Sequence, residues 1–348
     1  MQVKEEKINK DKFARSFRSP IPILLALVAV VFCIPLVVKD PSWLQLAILT
    51  MWYAYLTCSW NLVGGFAGQL SLGHAAFIGI GAYTSTALYL HFGLSPWIGM
   101  FVGGAFAVVA AITVFYPCLR LLGAYFALAS IGFAELIKIL TENTTKIFGI
   151  EIRGPRGLSI PPLGHAPFHY QFVNKAYYYY TILIMLLIAW FITYRISKTK
   201  LGYCLSAIRN DVEAAQSLGV NISKCRLMAV SLSAFLSAIG GTFYAQLLLY
   251  IYPEAVMGIM LSCELAFIAL IGGRGTVMGP IIGALIYVPA SELSRIYLSG
   301  GRFLGVHLML LGIVVMAVML FQPGGLMRPI GRVYTRWVKK LEPRVQKV

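Results

Sequence analysis

Ten apolar runs recur along the 348 residues, most of them near the roughly 20 residues that a helix needs to cross the hydrocarbon of a bilayer. They occupy 21–38, 43–62, 66–90, 96–118, 121–140, 177–194, 227–251, 256–272, 276–298 and 303–321. Lipid offers no partner to a backbone amide, so a chain of this kind is confined to segments that satisfy their own backbone. The expected fold is therefore an all-α polytopic membrane protein of about ten transmembrane helices or half-helices. Half-helices belong in that count because several runs are short or interrupted by glycine. Only 12% of residues are charged and 59% are hydrophobic, against about 25% charged in soluble domains, which excludes a soluble globular protein.

The net charge of +16 invites a nucleic-acid reading, and its placement removes it. Basic residues concentrate in 1–20, in 195–226 and in 322–348, with no basic stripe interleaved with aromatics. This is the bias expected of cytoplasmic segments. Both termini and 195–226 are thus expected in the cytoplasm. Five spans then place the 141–176 loop outside, one brings the chain back, and four more return the C-terminus to the inside. The loop still carries Lys146, Arg153, Arg156 and Lys175. The expected organisation is a basic cytoplasmic tail (1–20), a transmembrane domain (21–326) with its outer loop 141–176 and cytoplasmic segment 195–226, and a second basic tail (327–348), each tail solvated or held at lipid headgroups. The run from Ile21 follows a basic stretch as a secretory signal would, but no small-residue cleavage site follows it, so it reads as an uncleaved first helix. The cysteines, at 33, 58, 118, 204, 225 and 263, form no CxxC pair, and neither a metal site nor a disulfide framework is expected.

The stretch 65–83, GFAGQLSLGHAAFIGIGAY, is hydrophobic enough for a membrane, yet it concentrates glycines around Gln69, Ser71 and His74. Glycine weakens a helix by about 1 kcal/mol relative to alanine, and irregular backbone at membrane depth survives where protein buries it or where it lines a cavity. Two readings follow. Asn61, Gln69, Ser71 and His74 line a translocation path, joined by Glu264 from a later run; or the polar groups bond to neighbouring backbone that the glycines leave free. Gly65, Gly68 and Gly73 are read as close-packing positions, as are Gly275, Gly279 and Gly283, which recur every four residues and would share one helix face. Gly99 and Gly103 are spaced likewise. A faint internal likeness sets Gly64-Gly65-x2-Gly68-x4-Gly73 against Gly272-Gly273-x-Gly275-x3-Gly279-x3-Gly283. The five-plus-five arrangement would suit inverted repeats, but the topology puts both stretches on one side, which inversion does not predict.

Ionisable residues within the spans are functional candidates by default. Glu135 and Lys138 are three apart, as are Glu292 and Arg295, so each pair can neutralise itself on one helix face. Glu264 has no such neighbour, and no chain of carboxylates suits a proton-driven stand-alone transporter. No G-x4-GK[ST] phosphate loop occurs, so any use of ATP must come through a partner.

The segment 195–226 is far longer than a turn requires. Asn210 or Asp211 can cap a short helix over 212–218, Glu213 favours its dipole, and Gly219 can end it. Its Glu213-Ala214-Ala215-x3-Gly219 resembles the EAA-x3-G motif of ABC importer permeases, without the motif's later apolar-and-proline half. The run NLVGGFAGQLSLGHAAFIGIGAY (61–83), GLSIPPL (157–163) and IGGRGTVMGPIIGAL (271–285) resemble, in order, branched-chain amino acid ABC transporter permeases of the LivM type. Arg153-Gly-Pro-Arg156 departs from the family's small, polar outer-loop pattern.

The resemblance implies a permease subunit, not an enzyme, in the inner (plasma) membrane of a prokaryote. It implies a second related permease, two ABC ATPase subunits that carry ATP and Mg, and an extracytoplasmic substrate-binding protein; this chain would bind no cofactor. Glu213, Ala214, Ala215 and Gly219 would form the core of a coupling helix, with the alanines admitting the ATPase closely. The substrate would be a branched-chain or other small apolar amino acid, with urea, short amides or sugars as alternatives within the superfamily.

Overall fold

The computed structural model describes residues 40–298 and 306–327, apart from 119–120, 122, 148–149, 152–153, 162–166 and 323, together with Phe32 and Pro35. The tail 1–20, the second tail beyond Met327, most of the run 21–38, Cys33 and Arg153 lie outside the described residues.

Helix α1 (Pro41–Asn61) begins where Asp40 accepts a hydrogen bond from the Ser42 amide at 2.9 Å, with Pro41 supplying a preset φ at the first position. It continues through a π-turn, Leu62–Phe66. Its aromatic side chains Trp52, Tyr55 and Trp60 are buried, because α5 (Lys175–Ser197), α8 (Ile222–Leu248) and α11 (Gly279–Leu298) all pack around it. Around this centre stand α2 (His74–Phe92), α3 (Pro96–Ala110, extended by a π-turn Ala111–Phe115) and α4 (Ala124–Asn143). Two short helices, α6 (Lys200–Asn210) and α7 (Val212–Ser217), precede α8. The chain ends in α9 (Pro253–Met257), α10 (Ile259–Gly272), α11 and α12 (Val306–Phe321). Among the described residues, six helical stretches are long and apolar enough to cross a membrane: Pro41–Phe66, Pro96–Thr113, Ala124–Asn143, Lys175–Ser197, Ile222–Leu248 and Pro253–Gly272. This is a helical membrane protein.

Two expectations need correction. The run 66–90 is not one span: the chain leaves helical geometry after Phe66 and resumes it at His74. Nor does a helix start at 276. Gly275 sits in the 273–278 loop at φ +75°, off the helix face that Gly279 begins, so the every-fourth-residue stripe holds only from Gly279 onward. A four-residue period reports a helix face only where the backbone stays helical, and at Gly275 it turns left-handed.

Small residues allow backbones to meet directly. A Cβ on Gly81 would stand 2.1 Å from the Ala238 carbonyl oxygen, and one on Gly241 would stand 1.9 Å from that of Ile78, so α2 and α8 touch backbone to backbone. Gly103 of α3 closes on Gly81 in the same way, its Cβ position lying 3.1 Å from the Gly81 Cα. Gly283 packs α11 against α10 at the Ile268 carbonyl, 2.0 Å from a Cβ.

The two ends of the bundle differ. At one, the described parts of the connection 144–174 lie against the helix ends. Ser95 Oγ donates to the Phe168 carbonyl at 2.6 Å, and the two-residue strand Leu158–Ser159 pairs with Tyr250–Ile251. At the other end lie α6, α7 and both glycine-rich breaks. Two of the lysine and arginine side chains in these helices form ion pairs: Lys138 lies 3.7 Å from Glu135 and also reaches Glu254, while Arg295 meets Glu292 at 2.7 Å.

Candidate translocation and coupling site

The break at 67–73 survives because its neighbours complete its hydrogen bonds. The Leu72 amide donates to Ser130 Oγ and the Ala75 amide to Ser262 Oγ, each at 2.9 Å; the Gln69 amide reaches back to the Val63 carbonyl at 3.2 Å. The Ser71 carbonyl accepts from Trp60 Nε1 at 2.7 Å. Three helices thus satisfy backbone that lipid could not.

His74 is fully buried, with Ser71 Oγ 2.8 Å from its Nδ1 and Ser233 Oγ 2.7 Å from its Nε2. Ser233 Oγ donates to the Ser59 carbonyl at 2.7 Å, so it accepts from His74 Nε2–H, and Nδ1 meets the Ser71 hydroxyl. Ser59 returns the arrangement by donating to the Ser233 carbonyl at 2.7 Å. Both ring nitrogens are thus engaged inside the chain.

Asn61 is likewise committed. Its Oδ1 accepts from the Gly275 amide and its Nδ2 donates to the Thr276 carbonyl, both at 2.8 Å, so it bolts the 273–278 loop onto the end of α1. The two glycine-rich stretches meet here, on one side of the bundle. Gly65 lies in the same contact, where a Cβ would stand 2.5 Å from the Gly275 nitrogen. Gly73 approaches the Ser130 carbonyl, 2.6 Å from a Cβ, and Gly279 that of Gly273 at 2.3 Å, whereas Gly68 lies against Arg209. Of the sequence-predicted path residues, Glu264 accepts a 2.6 Å hydrogen bond from the Tyr53 hydroxyl. Gln69 is 5% exposed and neither of its amide atoms has a partner among the described residues. Ser59, Ser130, Ser233, Ser262 and Arg209 complete the site and were not singled out from sequence. No metal-ligating cluster of His, Cys, Asp and Glu occurs among the described residues.

Helix α7 carries the Glu213–Gly219 string. Asp211 caps it, accepting from the Glu213 amide at 2.9 Å and from the Ala214 amide at 3.0 Å. The stop lies at Gly219, φ +81°, where the Gly219 amide donates to the Gln216 carbonyl and the Val220 amide to that of Ala215. Ala215 is turned into the chain at 2% exposed; Glu213 and Ala214 face outward, and Leu218 is 83% exposed. Of the two alanines, only Ala214 is available to a partner. No atom stands within 4 Å of a Cβ on Gly219, so its constraint is conformational, not steric. Gly219→Val is expected to strain this stop by about 1–2 kcal/mol and to speed amide exchange over 212–220, while Gly219→Asn stays close to the parent. Equal exchange in valine and asparagine variants would show that the left-handed stop is unimportant.

Two broken helices are thus bolted together at one end of a helical membrane bundle, beside an exposed capped helix. The chain belongs to the family described as the permease component of the branched-chain amino acid transport system, whose profile matches residues 42–320. It is an ABC importer permease subunit. It is 29% identical to the high-affinity branched-chain amino acid transport system permease protein LivM of Escherichia coli (strain K12), over 87% of this chain and 74% of the relative. Identity is 22% with the probable branched-chain amino acid transport permease protein LivM of Methanocaldococcus jannaschii, over 81% of this chain and 92% of the relative. A segment covering 30% of the chain is 33% identical to the autoinducer 2 import system permease protein LsrC of Salmonella paratyphi B, covering 31% of that protein. No solved structure matches the chain.

Proposed function

We propose that this chain forms one half of the translocation path for branched-chain or other small apolar amino acids. It pairs with a second, related permease in the plasma membrane of a prokaryote. Two ATPase subunits below hydrolyse ATP, and a binding protein above delivers the amino acid. Ten spans with both termini in the cytoplasm fit this assembly, which puts α6, α7 and the two breaks on the cytoplasmic side. The observation that carries the substrate reading is the family match across most of the chain, joined to the LivM likeness over 87% of it.

Binding energy from the ATPases and from the loaded binding protein biases a membrane core between two states. Helix α7 is the ATPase contact, with Glu213 and Leu218 outermost. Asn61, Ser71 and His74 spend their hydrogen bonds holding the broken helices in shape, which supports a scaffolding role for them. Gln69, whose side-chain amide has no partner among the described residues, is the path residue of that group. A neutral polar wall suits a zwitterion, because it neither repels nor traps either charge.

Leucine uptake by the assembled transporter is expected to stop on ATP depletion and to persist when the proton gradient is collapsed at constant ATP. Leucine uptake by this chain alone in ATP-free vesicles would overturn the reading.

A further inference from the structure

One arginine joins the cytoplasmic segment to both breaks. Arg209, the penultimate residue of α6, precedes the α7 cap Asp211 by two positions. Its Nη1 donates to the Gly65 carbonyl at 3.1 Å, across 144 residues of sequence. The same nitrogen lies over Gly275, where a Cβ would stand 1.9 Å from it. The arginine stem crosses Gly68, with Cγ 2.9 Å and Cβ 3.3 Å from where a Cβ would be. Three glycines from two separate stretches leave room for this one side chain. Two of them, Gly65 and Gly275, are also the pair that Asn61 bolts together.

Resting on the proposed coupling role of α7, we infer that Arg209 is a positioning residue that makes α6–α7 and the inner ends of the two breaks move as one body, so that ATPase closure reaches the path. The physical case is a short lever. The Asp211 amide donates to the Ala207 carbonyl at 3.0 Å, fixing the α6–α7 corner to the helix that carries Arg209. A planar guanidinium can donate to a carbonyl while its face rests on a glycine backbone, which an ammonium cannot do. Without the arginine, α7 can still dock on an ATPase, but its displacement is no longer passed to 65–68 and 275.

The assembled transporter in proteoliposomes, with leucine as the probe, tests this. Arg209→Ala is expected to insert, to co-purify with the ATPase and to retain ATP hydrolysis, while leucine carried per ATP falls about ten-fold or more, within the range of coupling energies between sites. Arg209→Lys is expected to fall between parent and alanine. A second arm replaces the arginine by a covalent link: Gly68→Cys with Arg209→Cys, in a background whose native cysteines are replaced. The Arg209 Cβ stands 3.3 Å from the Cβ position on Gly68, just below the roughly 3.5–4.5 Å that a disulfide spans, so the pair forms with a small backbone shift that also eases the φ of +72° at residue 68. Reduced, this pair is expected to be uncoupled; oxidised, it is expected to recover transport.

Full transport by Arg209→Ala, loss of ATPase binding in that variant, or transport abolished by oxidation of the pair would each overturn the inference. If Arg209→Ala does not insert, Arg209→Lys and the oxidised pair decide it. Failure of the underlying reading looks different: Leu218→Asp would then leave ATPase binding and uptake unchanged.

Discussion

Leu218→Asp is expected to yield a permease that inserts and folds normally but neither co-purifies with an ATPase subunit nor transports. Leu218 is 83% exposed and contributes almost nothing to the chain's own core, so removing it costs the fold little. In a partner's groove the same side chain contributes roughly 1.5–3 kcal/mol of apolar burial. Aspartate forfeits that and adds the penalty of desolvating a carboxylate. A combined loss of about 3 kcal/mol weakens ATPase affinity by about a hundred-fold. The check is co-purification from membranes beside a thermal melt of the detergent-solubilised permease. Unchanged co-purification would remove α7 as the docking helix. Ala215 makes a poor target for the same purpose: at 2% exposed, a bulky replacement there breaks internal packing before it meets any partner.

His74→Ala is expected to do the opposite, lowering stability strongly while leaving the ATPase contact intact in whatever protein survives. The substitution opens a cavity between α1, α2 and α8 and leaves the Ser71 and Ser233 hydroxyls without their ring partners. Losses of this kind run to roughly 2–4 kcal/mol, moderated where a serine can turn back to a helix carbonyl. Yield and thermal midpoint of the purified permease should fall well below those of the parent. A His74→Ala protein with normal stability but no leucine uptake would return the histidine to the path.

These two residues mark what could be read from the chain and what could not. Six of the expected spans, the Asp211 cap and the Gly219 stop are local: a cap residue and a terminating glycine act within one turn, so their meaning is written next to them. Helix α6 left a local trace too, since Leu201, Leu205 and Ile208 recur on one face and the last two are buried, though the segment was read only for the short helix after it. The breaks were half legible. Glycine density announced irregular backbone, but not where it begins, because the residues that rescue it, Ser130 and Ser262, come from distant helices. His74 posed a fair dilemma between path and scaffold for the same reason: its partners Ser71 and Ser233 are 3 and 159 residues away. Arg209 gave no signal at all. A basic residue in a basic segment looks like a topology marker until the fold brings Gly65 and Gly275 beneath it.

The glycine contact between α2 and α8 has a kinematic consequence. Interdigitated side chains can step past one another by changing rotamers, and many transporters and switches shift helices in that way. At Gly81–Ala238 and Gly241–Ile78 the two backbones themselves stand within contact distance, with the Thr242 hydroxyl donating across the seam to the Gly81 carbonyl at 3.2 Å. The seam cannot slide by degrees, so α2 and α8, with α3 clasped on at Gly103, form a rigid beam. Compliance has to reside where the chain leaves that beam. Gly123, leading into α4, and Gly219, leading from α7 into α8, both have nothing described within 4 Å of a Cβ. Any turning of α4 or α7 against the α2–α8 contact would fall at these two glycines and leave the contact itself in place.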